Sequence, residues 1–408
     1  MRLFATALAV FALGACQLDG ADPTPAAPAP DAPTVPVGPV STLGTESGPS
    51  DADADAGRYT GRGRQLSGAD TTGQAAAARN NPETLATIDS TRDWGTRLHL
   101  PLGGDVAGPS VAKLQVLLDR AGFSPGQIDG RWGDNTELAL TWLQKAESLP
   151  ATGIADRATV RALARRADAP DSLVTTVALT ADDVAGPFET LPADVYEKAK
   201  LDRLGYESLA EKLGETFHAA PALLAQLNPG VTLDSLAAGD QLRVPNVRRT
   251  ARPMGDVSRL VISGEAGYLH ALAADGTVLF HAPVTVGASY DPSPEGEFSV
   301  RAVALDPSWH YQPSILAGVS DDAEEATLPP GPNNAVGVVW IALSKEHYGI
   351  HGTSAPGTIG YASSAGCVRL TNWDARALAQ AVGAGTPVRF RDVAGRGGAA
   401  RDSTRRAS

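Results

Sequence analysis

The sequence lacks the features of a nucleic-acid-binding, membrane-spanning or metal-binding protein. Its 408 residues carry a formal net charge of -12, which leaves no general basic surface for phosphate groups and argues against a nucleic-acid partner. The apolar run at residues 3–13 is too short to span a bilayer, and no other stretch is long and apolar enough to do so. His310, His347 and His351 lack the spacing of a helical metal site, so we expect neither a metal nor another cofactor.

Cysteine is also scarce, since only Cys16 and Cys367 occur. Met1-Arg2 followed by the apolar run 3–13 has the form of a signal peptide. The sequence Leu13-Gly14-Ala15-Cys16 resembles a bacterial lipobox, which implies removal of residues 1–15 and lipidation of Cys16. An ordinary cleaved signal peptide is the alternative interpretation.

Lipidation of Cys16 would leave Cys367 as a free thiol, whereas an exported chain with one unmodified pair would risk forming a disulfide. Each buried methylene contributes about 0.8 kcal/mol of membrane affinity, so several acyl chains would anchor the protein firmly. Gln17, rather than Asp, follows the cysteine, which by resemblance to lipoprotein sorting rules favours the outer membrane. We therefore expect a lipid-anchored protein in the periplasm.

The length allows roughly two to four domains, and the two terminal segments of the chain differ from them in amino-acid composition. Residues 16–93 are rich in Pro, Ala and Asp and contain few large apolar side chains. Such a segment cannot bury enough surface to offset its ordering entropy, so it is predicted to be a disordered tether. Residues 393–408 are predicted to be a disordered tail.

Residues 94–168 have the periodicity of a small helical bundle, with turns predicted at Gly122 and at Asp129-Gly130. The motifs LQ, IDGRWG, a second LQ and TGIADRAT closely resemble the peptidoglycan-binding domain of type 1. The resemblance implies binding of cell-wall glycan and makes Asp129, Gly130, Trp132 and Gly133 candidate ligand contacts. The alternative is that these four residues only fix the turn between the first two helices.

Residues 195–247 form a second predicted module, with two short helices followed by a strand at Gln241–Val244. The pattern LNP followed by LAAGDQLRVP resembles a LysM module. The usual opening strand of that module is missing or altered around Leu204-Gly205. His218 is interpreted as a surface histidine.

Residues 255–392 are predicted to be a mostly-β domain with one or two helices. Alternating and continuous apolar runs indicate strands near residues 259–263, 268–273, 278–282, 297–303, 338–343 and 387–390, and a helix near 374–382. The connection between residues 306 and 334 is longer than ordinary loops, so it is predicted to form a lid or a substrate groove.

The stretch from Tyr348 to Leu370 contains His351 at a strand end and the segment Ser-Ala-Gly-Cys-Val-Arg-Leu. A cysteine nucleophile needs a base within hydrogen-bond reach, and a preceding glycine can turn backbone N–H groups towards an oxyanion. Arg369 would share a strand face with Cys367 and could bind a carboxylate. From the residues alone, an inert core cysteine is as good an interpretation as a catalytic one.

The motifs HGT and SAGCVRL, preceded by VTVGASYDPSPEGEF and LPPGPNNAVG, resemble the L,D-transpeptidase catalytic domain of the YkuD family. The resemblance implies a β-sandwich-like fold and a cysteine acyltransferase. Ala365 stands where the family often has a histidine, which puts any pocket role of that imidazole in doubt.

The resemblance also assigns roles to individual residues. Cys367 becomes the nucleophile, His351 the base and the carbonyl of Gly352 the group that steadies the imidazole. Gly366, Ser364 and Arg369 become oxyanion or substrate contacts, with peptidoglycan stem peptides as the substrate. We expect the imidazole and the sulfur to meet at the mouth of an open groove. A carboxypeptidase that uses water, or a catalytically degenerate wall-binding tether, remains the alternative.

Overall fold

The computed structural model describes residues 98–104, 106–250, 253–288, 292–315 and 323–393, together with the backbone of a short strand, β1 (Thr34–Pro36). The predicted signal peptide, Cys16, the tail after residue 393 and the remainder of the predicted tether lie outside these ranges. Within the described ranges, no helix is long and apolar enough to cross a membrane.

The N-terminal described region contains the three helices that the sequence predicts: α1 (Pro109–Arg120), α2 (Asp134–Ala146) and α3 (Arg157–Arg166). Proline at the first position of α1 is compatible with a helix start, because its missing N–H would have no partner there. Gly122 follows α1 with φ of 81°, and the Asp156 side chain caps α3 by accepting from the Thr159 N–H at 2.7 Å.

The second region is a two-stranded antiparallel sheet with helices between its strands. Strand β2 (Val174–Ala178) pairs with β3 (Gln241–Pro245), and the helices α4 (Val195–Lys198), α5 (Leu209–Thr216) and α6 (Pro221–Leu227) lie between them in sequence. Residues 199–208 contain no strand, so none directly precedes α5 near Leu204-Gly205. Strand β2 lies upstream of the predicted boundary at residue 195.

The C-terminal region is a curled, mixed sheet of eight of the described strands. The strands are β4 (Arg259–Ser263), β5 (Tyr268–Leu272), β6 (Val278–Pro283), β7 (Gly296–Leu305), β10 (Val339–Leu343), β11 (Gly349–His351), β12 (Val368–Arg369) and β13 (Pro387–Arg391). They are hydrogen-bonded in the order β12-β11-β10-β7-β13-β4-β5-β6, and the helix α7 (Asn372–Ala379) precedes the last strand in the sequence.

The long connection between β7 and β10 is not a structureless loop. It contains β8 (Ser308–Tyr311) and β9 (Ala326–Leu328), which pair antiparallel, while β1 pairs parallel with β8. The three residues of β1 thus adopt a regular strand inside the segment predicted to be a disordered tether. Buried Trp309, Tyr311 and Leu328 give the β8–β9 hairpin an apolar side.

The helical regions pack directly against the curled sheet. Backbone hydrogen bonds join the edge strand β6 to the end of α1, from His281 N–H to Gly122 O at 2.9 Å and from Ser124 N–H to His281 O at 2.8 Å. His218 is not a surface residue, because its ring stacks on Trp373 at a centroid distance of 5.0 Å and lies 2.8 Å from Asp119. Tertiary packing of three regions at this point is invisible to local sequence patterns.

Candidate active site

Strand pairing brings His351 and Cys367 to the same part of the sheet. Strands β11 and β12 run parallel, with His351 opposite Arg369 in register. Neighbouring strands are about 4.8 Å apart, and residues two apart in an extended segment share a face. Cys367 directly precedes β12 and belongs to the same buried cluster as Trp340, whose ring stacks on His351, so its side chain lies on the face that carries His351.

The imidazole of His351 has a defined protonation state. Its Nδ1 lies 2.7 Å from the carbonyl oxygen of Gly352, which can only accept, so Nδ1 carries the hydrogen and donates it. Burial, together with the positive charge of Arg369, lowers the pKa of His351 to about 3. The ring is therefore neutral at physiological pH, and its Nε2 has a free lone pair that can take a proton.

The rest of the His351 environment isolates that lone pair. The side chain is 0% exposed, and its ring stacks on Trp340 with centroids 5.5 Å apart. Within the described residues, Nε2 has no hydrogen-bond partner. A buried, unpartnered ring nitrogen costs free energy, and this arrangement is typical of sites where function retains it.

Cys367 is buried as well, with 1% of its surface exposed. Its Sγ lies 3.7 Å from the carbonyl oxygen of His347, and it belongs to an apolar cluster that includes Trp309, Tyr311 and Trp340. The expectation of a sulfur at the mouth of an open groove is therefore wrong for this conformation. Trp309 and Tyr311 of β8 and Leu328 of β9 belong to the same buried cluster as Cys367, so we assign part of the cover over the sulfur to the β8–β9 hairpin.

Gly366 and Ser364, which precede Cys367 in the sequence, shape the turn that holds the cysteine. Gly366 adopts φ of 85°, a conformation that favours glycine, and its carbonyl accepts from the Ser293 hydroxyl at 2.7 Å. The same hydroxyl accepts from the Gly287 N–H at 2.9 Å. Ser364 donates its hydroxyl hydrogen to the Cys367 carbonyl at 2.5 Å and is 1% exposed. Ser364 thus braces the turn in this conformation.

Arg369 is held in place through its backbone, which exchanges two hydrogen bonds with Thr285, at 2.9 and 3.1 Å. Its guanidinium lies close enough to His351 to lower the pKa of that imidazole. A positive group beside the thiol and imidazole can attract a carboxylate of a substrate.

Sequence reasoning missed two residues that organise the site, Ser293 and Asn372. Ser293 lies in the segment DPSPEGEF, whose resemblance to the family motif assigns it no role. Asn372 is fully buried, and its Oδ1 accepts from the backbone N–H groups of Val338 at 3.2 Å and Thr353 at 3.1 Å. A side chain at Gly352 would place its Cβ 2.1 Å from that oxygen, so the His-Gly pair needs glycine for space.

The four candidate glycan contacts lie in the turn between α1 and α2, and their bonds support the purely structural alternative. The Asp129 carboxylate accepts from the Gln115 side chain and from the Arg131 N–H, each at 2.9 Å, and burial raises its pKa. Gly130 adopts φ of 72° and donates its N–H to Gln115 at 2.9 Å.

The other two candidates, Trp132 and Gly133, are half-buried. Trp132 is partly buried against the helical core. A Cβ on Gly133 would lie 2.8 Å from the Tyr361 hydroxyl, so this turn already faces the segment between His351 and Cys367.

The comparisons with known proteins agree with this architecture. Residues 258–390 match the YkuD family model, described as the L,D-transpeptidase catalytic domain. Residues 107–163 match the PG_binding_1 model, described as a "putative peptidoglycan binding domain". A solved L,D-transpeptidase of Xylanimonas cellulosilytica is 17% identical, covering 70% of this chain and 94% of that one, with a TM-score of 0.31.

Two similar proteins are both named "Putative L,D-transpeptidase YkuD". The one from Bacillus licheniformis is 30% identical over 178 residues, which cover 44% of this chain and 90% of that protein. The one from Bacillus subtilis is 31% identical over 172 residues, which cover 42% of this chain and 87% of that protein. The chain therefore belongs to the L,D-transpeptidase family.

Proposed function

We propose that this protein is a cysteine-dependent L,D-transpeptidase that acts on peptidoglycan stem peptides. The observation that carries the proposal is the neutral His351 with Nδ1–H fixed on Gly352, which leaves Nε2 free as a base on the face that also carries Cys367. The buried thiol and imidazole would act as a pair once substrate enters.

The reaction begins when Nε2 of His351 takes the thiol proton and the Cys367 sulfur attacks the carbonyl carbon of the third stem residue. A carbon–sulfur bond forms, the amide carbon–nitrogen bond breaks, and the proton on His351 passes to the departing amine of D-alanine. An amine of a second stem peptide then attacks the thioester carbonyl and gives up a proton to His351. A carbon–nitrogen bond forms, the carbon–sulfur bond breaks, and His351 returns the proton to the sulfur. The products are a 3→3 cross-link and the free thiol.

The turn before the cysteine would stabilise the oxyanion. The φ of 85° at Gly366 and the Ser293 bridge to its carbonyl fix the backbone orientation at Gly366 and Cys367. Their N–H groups are the candidate donors, and loss of one such donor in comparable sites costs about 3 kcal/mol of barrier stabilisation. Arg369 would bind a stem-peptide carboxylate.

The test is release of D-alanine from muropeptides that carry a tetrapeptide stem. The purified protein should release D-alanine and form cross-linked dimers, and Cys367→Ser should do neither. Release without dimers would identify an L,D-carboxypeptidase that uses water as the acceptor.

A second candidate function is a wall-binding tether without catalysis. Two observations favour it: Ala365 replaces a histidine common in the family, and Cys367 is 1% exposed. Pelleting of both wild type and Cys367→Ser with isolated sacculi, with no D-alanine release from either, would support the tether.

We also propose that Cys16 is lipidated, that residues 16–93 tether the folded part to the outer membrane, and that the region around α5 and α6 is LysM-like. The order of a strand, helices and a strand paired with the first supports the last point. Incorporation of labelled palmitate, lost in Cys16→Ala, tests the anchor. Binding of residues 170–250 to sacculi as a competitor of the whole protein tests the module.

A further inference from the structure

The buried amide of Asn372 links the catalytic histidine to another region of the protein. While its oxygen takes the N–H groups of Val338 and Thr353, its Nδ2 donates to the Glu215 carboxylate at 2.9 Å and to the Pro332 carbonyl at 3.3 Å. These four bonds use both lone pairs and both hydrogens of the amide, and they settle which atom is oxygen. Glu215 belongs to α5, outside the catalytic sheet.

The link reaches His351 through one peptide unit. The N–H of Thr353 and the carbonyl of Gly352 belong to the same planar group, so fixing one fixes the direction of the other. Asn372 holds that N–H at 3.1 Å, and the carbonyl accepts from Nδ1 of His351 at 2.7 Å. The orientation of the imidazole therefore depends on the position of the Asn372 amide.

The hydrogen bonds of this link also transmit the electrostatic effect of the Glu215 carboxylate. A carboxylate that accepts from an amide N–H polarises the amide and makes its oxygen a stronger acceptor, and chains of such bonds reinforce one another in a medium of low dielectric. From Glu215, this polarisation passes through Asn372 and the peptide between residues 352 and 353 to Nδ1–H of His351. It favours a protonated His351, which is the state formed when Nε2 takes the thiol proton.

We propose that Glu215 is a positioning residue of the active site, which holds and polarises the His351 imidazole through Asn372. The proposal rests on the proposed cysteine–histidine reaction. It makes the helical region around α5 part of the catalytic apparatus as well as a binding module.

The surroundings of Glu215 determine when it is charged. Tyr206 donates its hydroxyl hydrogen to Oε1 at 3.0 Å, while Glu211 and His218 approach from α5 and its C-terminal end. Arg376 faces it from α7. Burial outweighs the bonds to Asn372 and Tyr206 and raises the pKa of Glu215 to about 6. The carboxylate is thus charged above that pH and neutral below it.

The experiment compares wild type, Glu215→Gln and Glu211→Gln between pH 5 and 8. Gln at 215 keeps an oxygen for the Asn372 N–H but removes the charge, and Glu211→Gln removes the same charge one turn earlier on α5. The measured quantities are kcat and KM for D-alanine release, and the rate of Cys367 alkylation by iodoacetamide. For Glu215→Gln at pH 8 we expect kcat about tenfold lower, equivalent to one pKa unit on His351, with KM unchanged.

The pH profile separates the proposal from a merely structural role of Glu215. Wild type should lose alkylation rate as the pH falls through about 6, because Glu215 becomes neutral there. Glu211→Gln should keep this inflection but move it to lower pH, because the charge of Glu211 helps to raise the pKa of Glu215. Glu215→Gln should keep only the smooth rise with pH that ionisation of the thiol gives, without the inflection near 6. Tyr206→Phe removes a bond that lowers the pKa of Glu215, so its profile should shift to higher pH.

Equal kcat in wild type and Glu215→Gln would overturn the inference, and so would an unchanged decrease of the alkylation rate at low pH in Glu215→Gln. If Glu215→Gln fails to fold, a folded Tyr206→Phe whose pH profile of alkylation does not shift would overturn it. Each of these requires a wild type that releases D-alanine. A wild type that neither releases D-alanine nor reacts at Cys367 would instead contradict the proposed function itself.

Discussion

Asp374 is buried in the contact between α1 and α7, where ionisation of its carboxyl group lowers the stability of the folded protein. Asp374 is 3% exposed, and its Oδ2 accepts from the hydroxyls of Thr371 at 2.7 Å and Ser124 at 2.8 Å. Burial raises its pKa to about 7 despite these bonds. Replacement by asparagine keeps an oxygen for both hydroxyls and removes the charge.

The magnitude and sign follow from linkage. A carboxyl whose pKa rises from 3.8 to about 7 on folding binds its proton more tightly in the folded state, so stability falls as pH rises across that range. At about 1.4 kcal/mol per pKa unit, the full loss at pH 8 is at most about 4 kcal/mol. His218 acts in the same direction: burial opposes its protonation, but Asp119 raises its pKa overall, so its contribution is also lost at high pH.

The assay is urea denaturation of wild type and Asp374→Asn at pH 5 and pH 8, with a tryptophan-fluorescence readout. We expect Asp374→Asn to be more stable than wild type at pH 8, by about 1 to 4 kcal/mol, and the advantage to shrink at pH 5. The control is Asp306→Asn, which removes an exposed carboxylate paired with Arg203. An equal difference at both pH values, or destabilisation at pH 8, would refute the account of this junction.

The remaining predictions concern the site. Ser293→Ala leaves the Gly287 N–H and the Gly366 carbonyl without their hydrogen bonds, so thermal unfolding should show a free energy of unfolding lower by about 1 to 3 kcal/mol. Ser293→Thr keeps the hydroxyl and should restore the stability, which makes it the control. Trp309→Ala should speed alkylation of Cys367 several-fold because it uncovers the sulfur; an unchanged rate would contradict the assigned cover. Gly352→Ala should abolish D-alanine release, since its Cβ would lie 2.1 Å from Asn372, and retained activity would contradict the required fit.

Much of the fold is encoded in local patterns. The apolar run before His351 predicts a strand at residues 338–343, and the structure has it at Val339–Leu343. The helix predicted near 374–382 begins two residues earlier, at Asn372, because the Thr371 side chain accepts from the Asp374 N–H and caps it. Repeated apolar spacing likewise predicts the three helices between residues 109 and 166.

Other features depend on contacts between distant segments, which periodicity does not encode. The pairing of β2 with β3 joins segments more than sixty residues apart in the sequence, so neither strand's local pattern identifies its partner. The burial of His218 depends on Trp373 and Asp119 from two other regions. The cover over Cys367 depends on how the β8–β9 hairpin folds back, and the residue pattern of a hairpin does not specify that.

The central claim is that Cys367 becomes acylated by a stem peptide with His351 as the base. Intact-protein mass spectrometry, on samples quenched during reaction with a tetrapeptide muropeptide, tests it most directly. The account predicts a mass increase equal to the mass of the donor minus the mass of one D-alanine, located by peptide mapping at Cys367. The increase should be absent in Cys367→Ser and much slower to form in His351→Gln. D-alanine release with no adduct on Cys367, or an adduct that forms equally fast in His351→Gln, would contradict it.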